Sequence, residues 1–514
     1  MRRFVLAFAA MLFAAPALAA APAAQTVQGA LLGDVEDGIA VFRGIPFAAP
    51  PVGDLRWRAP QPAPVWTGTR GAKNFGPICP QLPTPRTAGL KQSEDCLTLN
   101  VWTPQGGARL PVIVWIYGGS FRTGGSAMHI YDGTDLAKRG VIVVSLNYRL
   151  GPLGFLDLSA LGQNIPGEPS ANFGLLDQIA ALKWVRENIA AFGGDPANVT
   201  IFGESAGAVS VNDLVASPAA RGLFAKAISE SGLGLLITKS KADAATAANA
   251  FAVHHKAEGV TALATLRALS VKSILQDEER GGVGHDVGPN VDGAILPDQV
   301  CVLFAKGEIA KVPYLTGWNS NEASLMSSLG DTTRSVIGQL GDKAAEIRAL
   351  YETGGKLGDD DFAALLFDDD VFGAGAQGLA GFVAATGQPS YVYHFAYVAE
   401  NFRTTFKGVD HAGEIPYVFG TRGLDLPFYV TALTGGISPA DDKIIAKVQT
   451  YWTNFAKTGN PNGMGLTEWP HFEPGHVTLV VDNNGFAARS DFRKSEIAVG
   501  LAQWSARTGL APPD

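Results

Sequence analysis

Short apolar, β-branched runs alternate with longer amphipathic stretches along this chain. Val112–Ile116 (V-I-V-W-I) and Val141–Ser145 (V-I-V-V-S) are almost continuously apolar, the pattern of strands buried on both faces of a mostly parallel sheet. From about Asn172 to Ala191, Leu175, Leu176, Ile179, Leu182, Val185 and Ile189 recur at helical spacing, which predicts a long helix. Phe192-Gly-Gly-Asp-Pro-Ala-Asn198 breaks that period, and Val199–Phe202 predicts another strand. From Ala206 the residues turn small and helix-compatible, through Ala208, Val211 and Leu214. Further strands are predicted at Val312–Thr316, Tyr391–Tyr397 and Val477–Val481. An amphipathic helix is predicted from Asp441 to Lys457, carrying Ile444, Ile445, Val448, Tyr451, Trp452 and Phe455 on one side, and Gly459-Asn-Pro461 stops it. Strands interleaved with helices over the whole length give an α/β class.

Between the strand ending at Phe202 and the helix opening at Ala206 lies Gly203-Glu-Ser-Ala-Gly207. In a chain with 61 glycines among 514 residues, G-x-S-x-G alone is a weak signal. Strand, then G-x-S-x-G, then helix is the context of a nucleophile elbow. Such a turn brings strand and helix backbones close, so the positions two before and two after the serine need minimal side chains. Ser205 is then held in strained geometry, with the amides of the following helix N-terminus aimed at the reacting oxygen.

A serine nucleophile needs a base, and the base an orienting acid; in this arrangement both follow the serine in the chain. Downstream stand His254, His255, His285, His394, His411, His471 and His476. His254 and His255 lie in an Ala-rich helical stretch, and His394 lies inside a strand pattern. His411 sits in the polar loop Gly408–Pro416, beyond a strand end, where such a sheet presents its chemistry. For the acid, Glu322 occupies the loop after a predicted strand, but Asp286, Asp292 and Asp298 compete, and spacing leaves the choice open. Backbone amides for an oxyanion are expected from an earlier strand–turn, and the glycines of Val114–Phe121 follow a strand end directly.

Composition narrows the classes. The 46% hydrophobic and 17% charged residues suit a large buried core, and no linker, repeat or charge block divides the chain. One domain is expected over 21–514. Met1-Arg-Arg3, the apolar run Phe4–Ala15 and Pro16-Ala-Leu-Ala19 describe a secretory signal over residues 1–20, bacterial in character. The run is shorter than the roughly 20 residues of a spanning helix, so export to periplasm or medium is expected. Without Arg2 and Arg3 the 40 Lys and Arg fall to 38 against 48 Asp and Glu, and the formal charge of −8 becomes −10. That disfavours nucleic acid, which needs a basic footprint. Of three cysteines, Cys79 and Cys96 bracket a proline-rich loop. Pairing them would close a ring of about 18 residues, a stabilisation of about 3 kcal/mol in the chain-entropy model. Cys301, in an apolar segment, reads as a small buried hydrophobe. No Cys/His spacing resembles a metal site.

Several stretches together resemble the type-B carboxylesterases, the α/β-hydrolase branch that includes cholinesterases and bacterial para-nitrobenzyl esterases. They are GIPFAAPPVGDLRWRAPQP (44–62), SEDCLTLNVW (93–102), VIVWIYGGSF (112–121), LNYRLGPLGFL (146–156), the segment 172–207, GWNSNEA (317–323) and HAGEIPYVFG (411–420). The resemblance spans about residues 25–505 and implies an α/β-hydrolase fold with a large, mostly parallel central sheet. It implies Ser205 as nucleophile, His411 as general base and acid, and Glu322 as orienting carboxylate. Oxyanion amides would fall on Gly119, Ser120 and Ala206, with Ser120 replacing a glycine and so less free in backbone angle. A first disulfide maps onto Cys79 and Cys96; a usual later one has no counterpart. The implied reaction is hydrolysis of a small-molecule carboxylic ester by two-step acyl transfer, without a cofactor. The alternatives are an amidase or peptidase with the same triad, or a non-catalytic binding protein on the same fold.

In cholinesterases a tryptophan in the first disulfide loop binds the quaternary ammonium. Residues 79–96 here contain no aromatic side chain, and Arg86 and Lys91 stand there instead, which disfavours choline esters. Arg122, directly after the amide turn, either reads an anionic or polyhydroxylated ester or is a solvated or structurally paired cation.

Overall fold

A computed structural model describes residues 21–162, 167–276, 282–421 and 438–513; the segment read as a secretory signal lies outside them. In chain order the strands are β1 (Ala23–Thr26), β2 (Gly29–Leu32), β3 (Asp34–Glu36), β4 (Ile39–Pro46), β5 (Thr69–Gly71), β6 (Thr98–Pro104) and β7 (Leu110–Ile116). There follow β8 (Ile142–Leu146), β9 (Gly194–Glu204), β10 (Lys226–Glu230), β11 (Tyr314–Asn319), β12 (Ser390–Phe395), β13 (Thr478–Asp482) and β14 (Gly485–Arg489). Among the described residues, eleven of them form one sheet in the order β14-β13-β12-β11-β10-β9-β7-β8-β6-β4-β3, and β1, β2 and β5 form a small separate one. The centre of the large sheet, β8 through β13, is parallel, while both margins are antiparallel. This is the α/β-hydrolase architecture, a large mostly parallel sheet flanked by helices.

The central strands are apolar on both faces because helices cover both. Val112, Val114 and Ile116 of β7, and Val143 and Val144 of β8, are fully enclosed. Trp115 packs against Phe202, Tyr131 and Phe419 at 4.8–5.1 Å between ring centroids, joining the core to the end of the sheet where the site lies.

The predicted elements form with shifted ends. β9 begins at Gly194, inside the stretch read as a break, because Gly194 pairs with Leu110 before a register shift absorbs the residues up to Val199↔Val112. β11 begins at Tyr314 because Pro313 has no N–H to donate, and it runs on so that Trp318 and Asn319 pair with His394 and Phe395. The late amphipathic helix spans Pro439–Thr458, opened by a capping box between Ser438 and Asp441. No helix of the described residues is long and apolar enough to cross a membrane.

Candidate active site

The serine stands where β9 hands over to the helix Ala206–Ala216. Its backbone lies at φ 57°, ψ −125°, a conformation that a residue with a Cβ adopts only when its surroundings impose it. Close packing of backbones imposes it here. A Cβ on Gly207 would lie 2.0 Å from the Ile116 carbonyl oxygen, and one on Gly203 2.6 Å from the same atom. The end of β7 passes against the turn, so both flanking positions admit only hydrogen. The Ser205 amide is anchored to the Glu230 carbonyl at 2.9 Å.

The turn after β7 leans on the serine, since a Cβ on Gly118 would meet Ser205 Cβ at 3.0 Å. Gly119, Ser120 and Phe121 have φ of 108°, 56° and 58°. Ser120 is thus held in the left-handed region that its missing glycine would have entered freely. The amides of Arg122 and Thr123, both 3.0 Å from the Gly119 carbonyl, close the turn. Ala206 is the first residue of the helix beyond Ser205.

His411 and Glu322 arrive on two loops stitched to each other. Asn321 bridges Asp410 in parallel, its amide donating to the Val409 carbonyl at 2.9 Å. The Val409 amide donates to Ser320 Oγ and the His411 amide to Ser324 Oγ, each at 3.0 Å. His411 Nδ1 then lies 2.5 Å from Glu322 Oε2. Glu322 Oε1 accepts from the Ser231 hydroxyl at 2.6 Å and the Asn319 amide at 2.7 Å. The competing carboxylates are engaged elsewhere: Asp286 with Lys239, Asp292 with Asn172 and the amides of Ala294–Leu296, Asp298 with Lys306. His394 is packed between Trp318 and Phe492, and burial pushes its pKa down to about 3.

On its other side, His411 Nε2 comes within 3.0 Å of Glu204 Oε1. That approach lacks hydrogen-bond alignment, and neither atom has a hydrogen-bond partner among the described residues. Burial opposes charge on this imidazole, but the carboxylates of Glu204 and Glu322 outweigh it and hold its pKa well above the ordinary 6.5. Two more buried carboxyls stand behind. Glu414 is pushed up to about 8 by burial, helped by the charges of Glu204 and Glu322. Glu230 is held well above its ordinary value by burial, then by the charge of Glu414, and accepts from Trp452 Nε1 at 2.7 Å. Sequence reasoning missed all three. Adjacency was the available signal: Glu204 precedes Ser205, and Glu414 follows His411 by three positions.

Ser205, His411, Glu204, Gly119 and Ser120 share the lining of one cavity of about 260 Å³. Ser205 and His411 are not hydrogen-bonded to each other. Met128, Tyr131 and Leu325 supply apolar wall, and Arg86 and Thr87 enter from the segment that the Cys79–Cys96 disulfide closes off. Lys91 does not reach this cavity. Nor does Arg122, whose guanidinium contacts the His285 ring. Cys301 is buried in the helix Val300–Ala305, its thiol pKa raised by desolvation. Among the described residues no group of three or more His, Cys, Asp or Glu side chains could hold a metal ion.

The model of the carboxylesterase family matches residues 20–354 and 359–498. The chain is 37% identical to the para-nitrobenzyl esterase of Bacillus subtilis (strain 168), over 89% of this chain and 94% of that protein. It is 37% identical to the fumonisin B1 esterase of Sphingopyxis macrogoltabida, over 87% and 84%. A solved structure of a PNB esterase superposes with a TM-score of 0.78 at 35% identity, covering 92% of this chain and 99% of that one.

Proposed function

The chain belongs to the carboxylesterase family and is a carboxylic ester hydrolase; from that premise we propose that Ser205, His411 and Glu322 carry the reaction. The observation that bears most weight is the imidazole of His411. Its Nδ1 is held by Glu322 at 2.5 Å, and its Nε2 is left without a hydrogen-bond partner beside the cavity that Ser205 lines. With Nδ1 donating to Glu322, Nε2 is the nitrogen that can accept a proton when the imidazole is neutral. As the Ser205 hydroxyl attacks the ester carbonyl, Nε2 takes its proton, and the imidazolium so formed faces Glu322 on one side and Glu204 on the other. The carbonyl oxygen gains charge within reach of the amides of Gly119, Ser120 and Ala206, donors already in place before the charge develops. His411 returns the proton to the leaving alcohol, and water then releases the acid from the acyl-enzyme by the same route. No step calls on a cofactor.

The Arg-Arg start and apolar run at the N-terminus, together with a disulfide, support an exported protein in an oxidising compartment, periplasm or medium. A single domain is supported by one sheet that runs from Asp34 to Arg489. Labelling with a fluorophosphonate probe tests the nucleophile. Wild type should label and Ser205→Ala should not; equal labelling would remove Ser205 from the reaction. Matched para-nitrophenyl esters and anilides then separate esterase from amidase, and faster anilide cleavage would favour the amidase.

A further inference from the structure

Three consecutive aspartates open a π-helical turn, Asp368–Gly373, set between the helices Asp359–Phe367 and Ala374–Ala385. A π turn re-aims the side chains it carries, and such turns recur at functional sites. The three carboxyls here go to different places. Asp369 is paired with Arg493, which donates from Nε at 2.6 Å. Asp370 lies against Gly500, where a Cβ would meet its Oδ1 at 2.6 Å. Asp368 turns instead to the loop after β11, and its Oδ1 accepts from the Ala323 amide at 2.6 Å.

Ala323 follows Glu322, which is the first residue of the 3-10 helix Glu322–Leu329. The opening amides of a helix have no acceptor within it. Asn321, which precedes this helix, does not cap it with its side chain, donating instead to Asp410 Oδ1 at 2.6 Å. Asp368 supplies the acceptor from another segment, 45 positions along the chain. The same π turn carries Phe372, whose ring centroid lies 5.6 Å from that of His411. Asp368, Phe372, Glu322 and His411 are all buried. One turn thus bears on both members of the Glu322–His411 pair.

We propose that Asp368 is a positioning residue for the hydrolysis: by capping the turn that begins at Glu322, it holds that carboxylate at His411 Nδ1. The inference rests on the triad assigned above. Glu322 Oε2 stands 2.5 Å from Nδ1, and a small drift of the group that orients the base is amplified in the rate. Burial, then the charge of Glu322, hold the Asp368 carboxyl well above the usual carboxylate range, which favours the neutral acid. The turn therefore gains an acceptor without a second negative charge beside Glu322. Asparagine would offer the same carbonyl acceptor, whereas alanine would leave the Ala323 amide without one.

The test measures kcat and KM on para-nitrophenyl butyrate, with active sites counted by fluorophosphonate labelling so that unfolded enzyme does not enter kcat. Asp368→Ala should lose about tenfold in kcat with KM within about twofold of wild type, and Asp368→Asn should recover most of that loss. In Glu322→Gln, adding Asp368→Ala should cost about twofold or less, because the group it positions is already lost. Asp368→Leu, which fills the site without an acceptor, is read in place of Asp368→Ala if the alanine variant does not fold. Wild-type kcat per labelled site in the alanine or leucine variant overturns the inference. So does an asparagine variant as slow as they are, or an undiminished cost in Glu322→Gln. Failure of both to fold, beside a folded and fully active Asp368→Asn, would assign Asp368 to stability and overturn it too. Wild-type kcat in Glu322→Gln alone would instead count against the triad.

Discussion

A methyl group added at Gly207 would sit 2.0 Å from the Ile116 carbonyl oxygen, so Gly207→Ala must displace either β7 or the helix Ala206–Ala216. Displacing either one moves Ser205. Overpacking of this kind costs about 1–3 kcal/mol, and kcat should fall by well over tenfold, because ångström shifts at a reacting atom are that costly. Gly338→Ala is the contrast: its Cβ would meet nothing within 4 Å, so melting temperature and kcat should stay near wild type. At His411 the consequence concerns pH. Its pKa is raised by Glu204 and Glu322 against burial, and in the reaction proposed above only the neutral imidazole can accept the Ser205 proton. The acidic limb of kcat/KM should therefore lie above pH 6.5, and Glu204→Gln, which removes one of the raising charges, should move it to lower pH. A limb that stays in place would show that Glu204 does not act on this imidazole. The strain at Ser205 could be read from G-x-S-x-G between strand and helix. The part played by Glu204 could not, since a glutamate beside a serine carries no pattern of its own.

The segment closed by Cys79 and Cys96 connects stability to binding. The two cysteines are 17 positions apart, and closing a ring of that size stabilises by about 3 kcal/mol in the chain-entropy model. The Cys79→Ser, Cys96→Ser double variant should melt at lower temperature. Because Arg86 and Thr87 of this segment line the cavity, its KM should also rise. An unchanged KM at lower stability would mean that the hydrogen bonds from the Gln81 side chain to Gly124 hold the segment alone. Elements were mostly readable from periodicity, and their ends were not. β9 starts early because a bulge lets Gly194 find Leu110, and β11 runs to Asn319 because β12 offers His394 and Phe395 as partners. Pairing partners set such limits, and a single strand's pattern does not contain them.

At the scale of the whole molecule, the sheet gathers Glu204, Glu230, Glu322 and Glu414 at one end, all of them buried. Glu414, pushed up to about 8, would titrate near 4.3 in the unfolded chain. Between those values the folded protein keeps a proton that the unfolded chain has released, so stability falls as pH rises through this window. His411, also raised, bends the curve the same way, its contribution being lost as pH rises through its folded value. Glu414→Gln should therefore gain melting temperature relative to wild type by more at pH 8.5 than at pH 5, the underlying stability change being a few kcal/mol at most. A pH-independent difference would mean that Glu414 is not the group that titrates.

The linear chain was enough to establish the α/β class, the elbow around Ser205 and the glycine requirement on either side of it. Those features depend on local periodicity and on turn chemistry within a few residues. The resemblance of its motifs chose Glu322 among the candidate acids, added the reaction class and agreed with the Cys79–Cys96 pairing. The meeting of His411 with Glu322, 89 positions apart, the carboxylates massed behind them, and the presence of Arg86 rather than Arg122 at the cavity were decided only in three dimensions. Each depends on which loops the sheet order brings together at one end of the parallel strands, and that order follows from the packing of the whole chain.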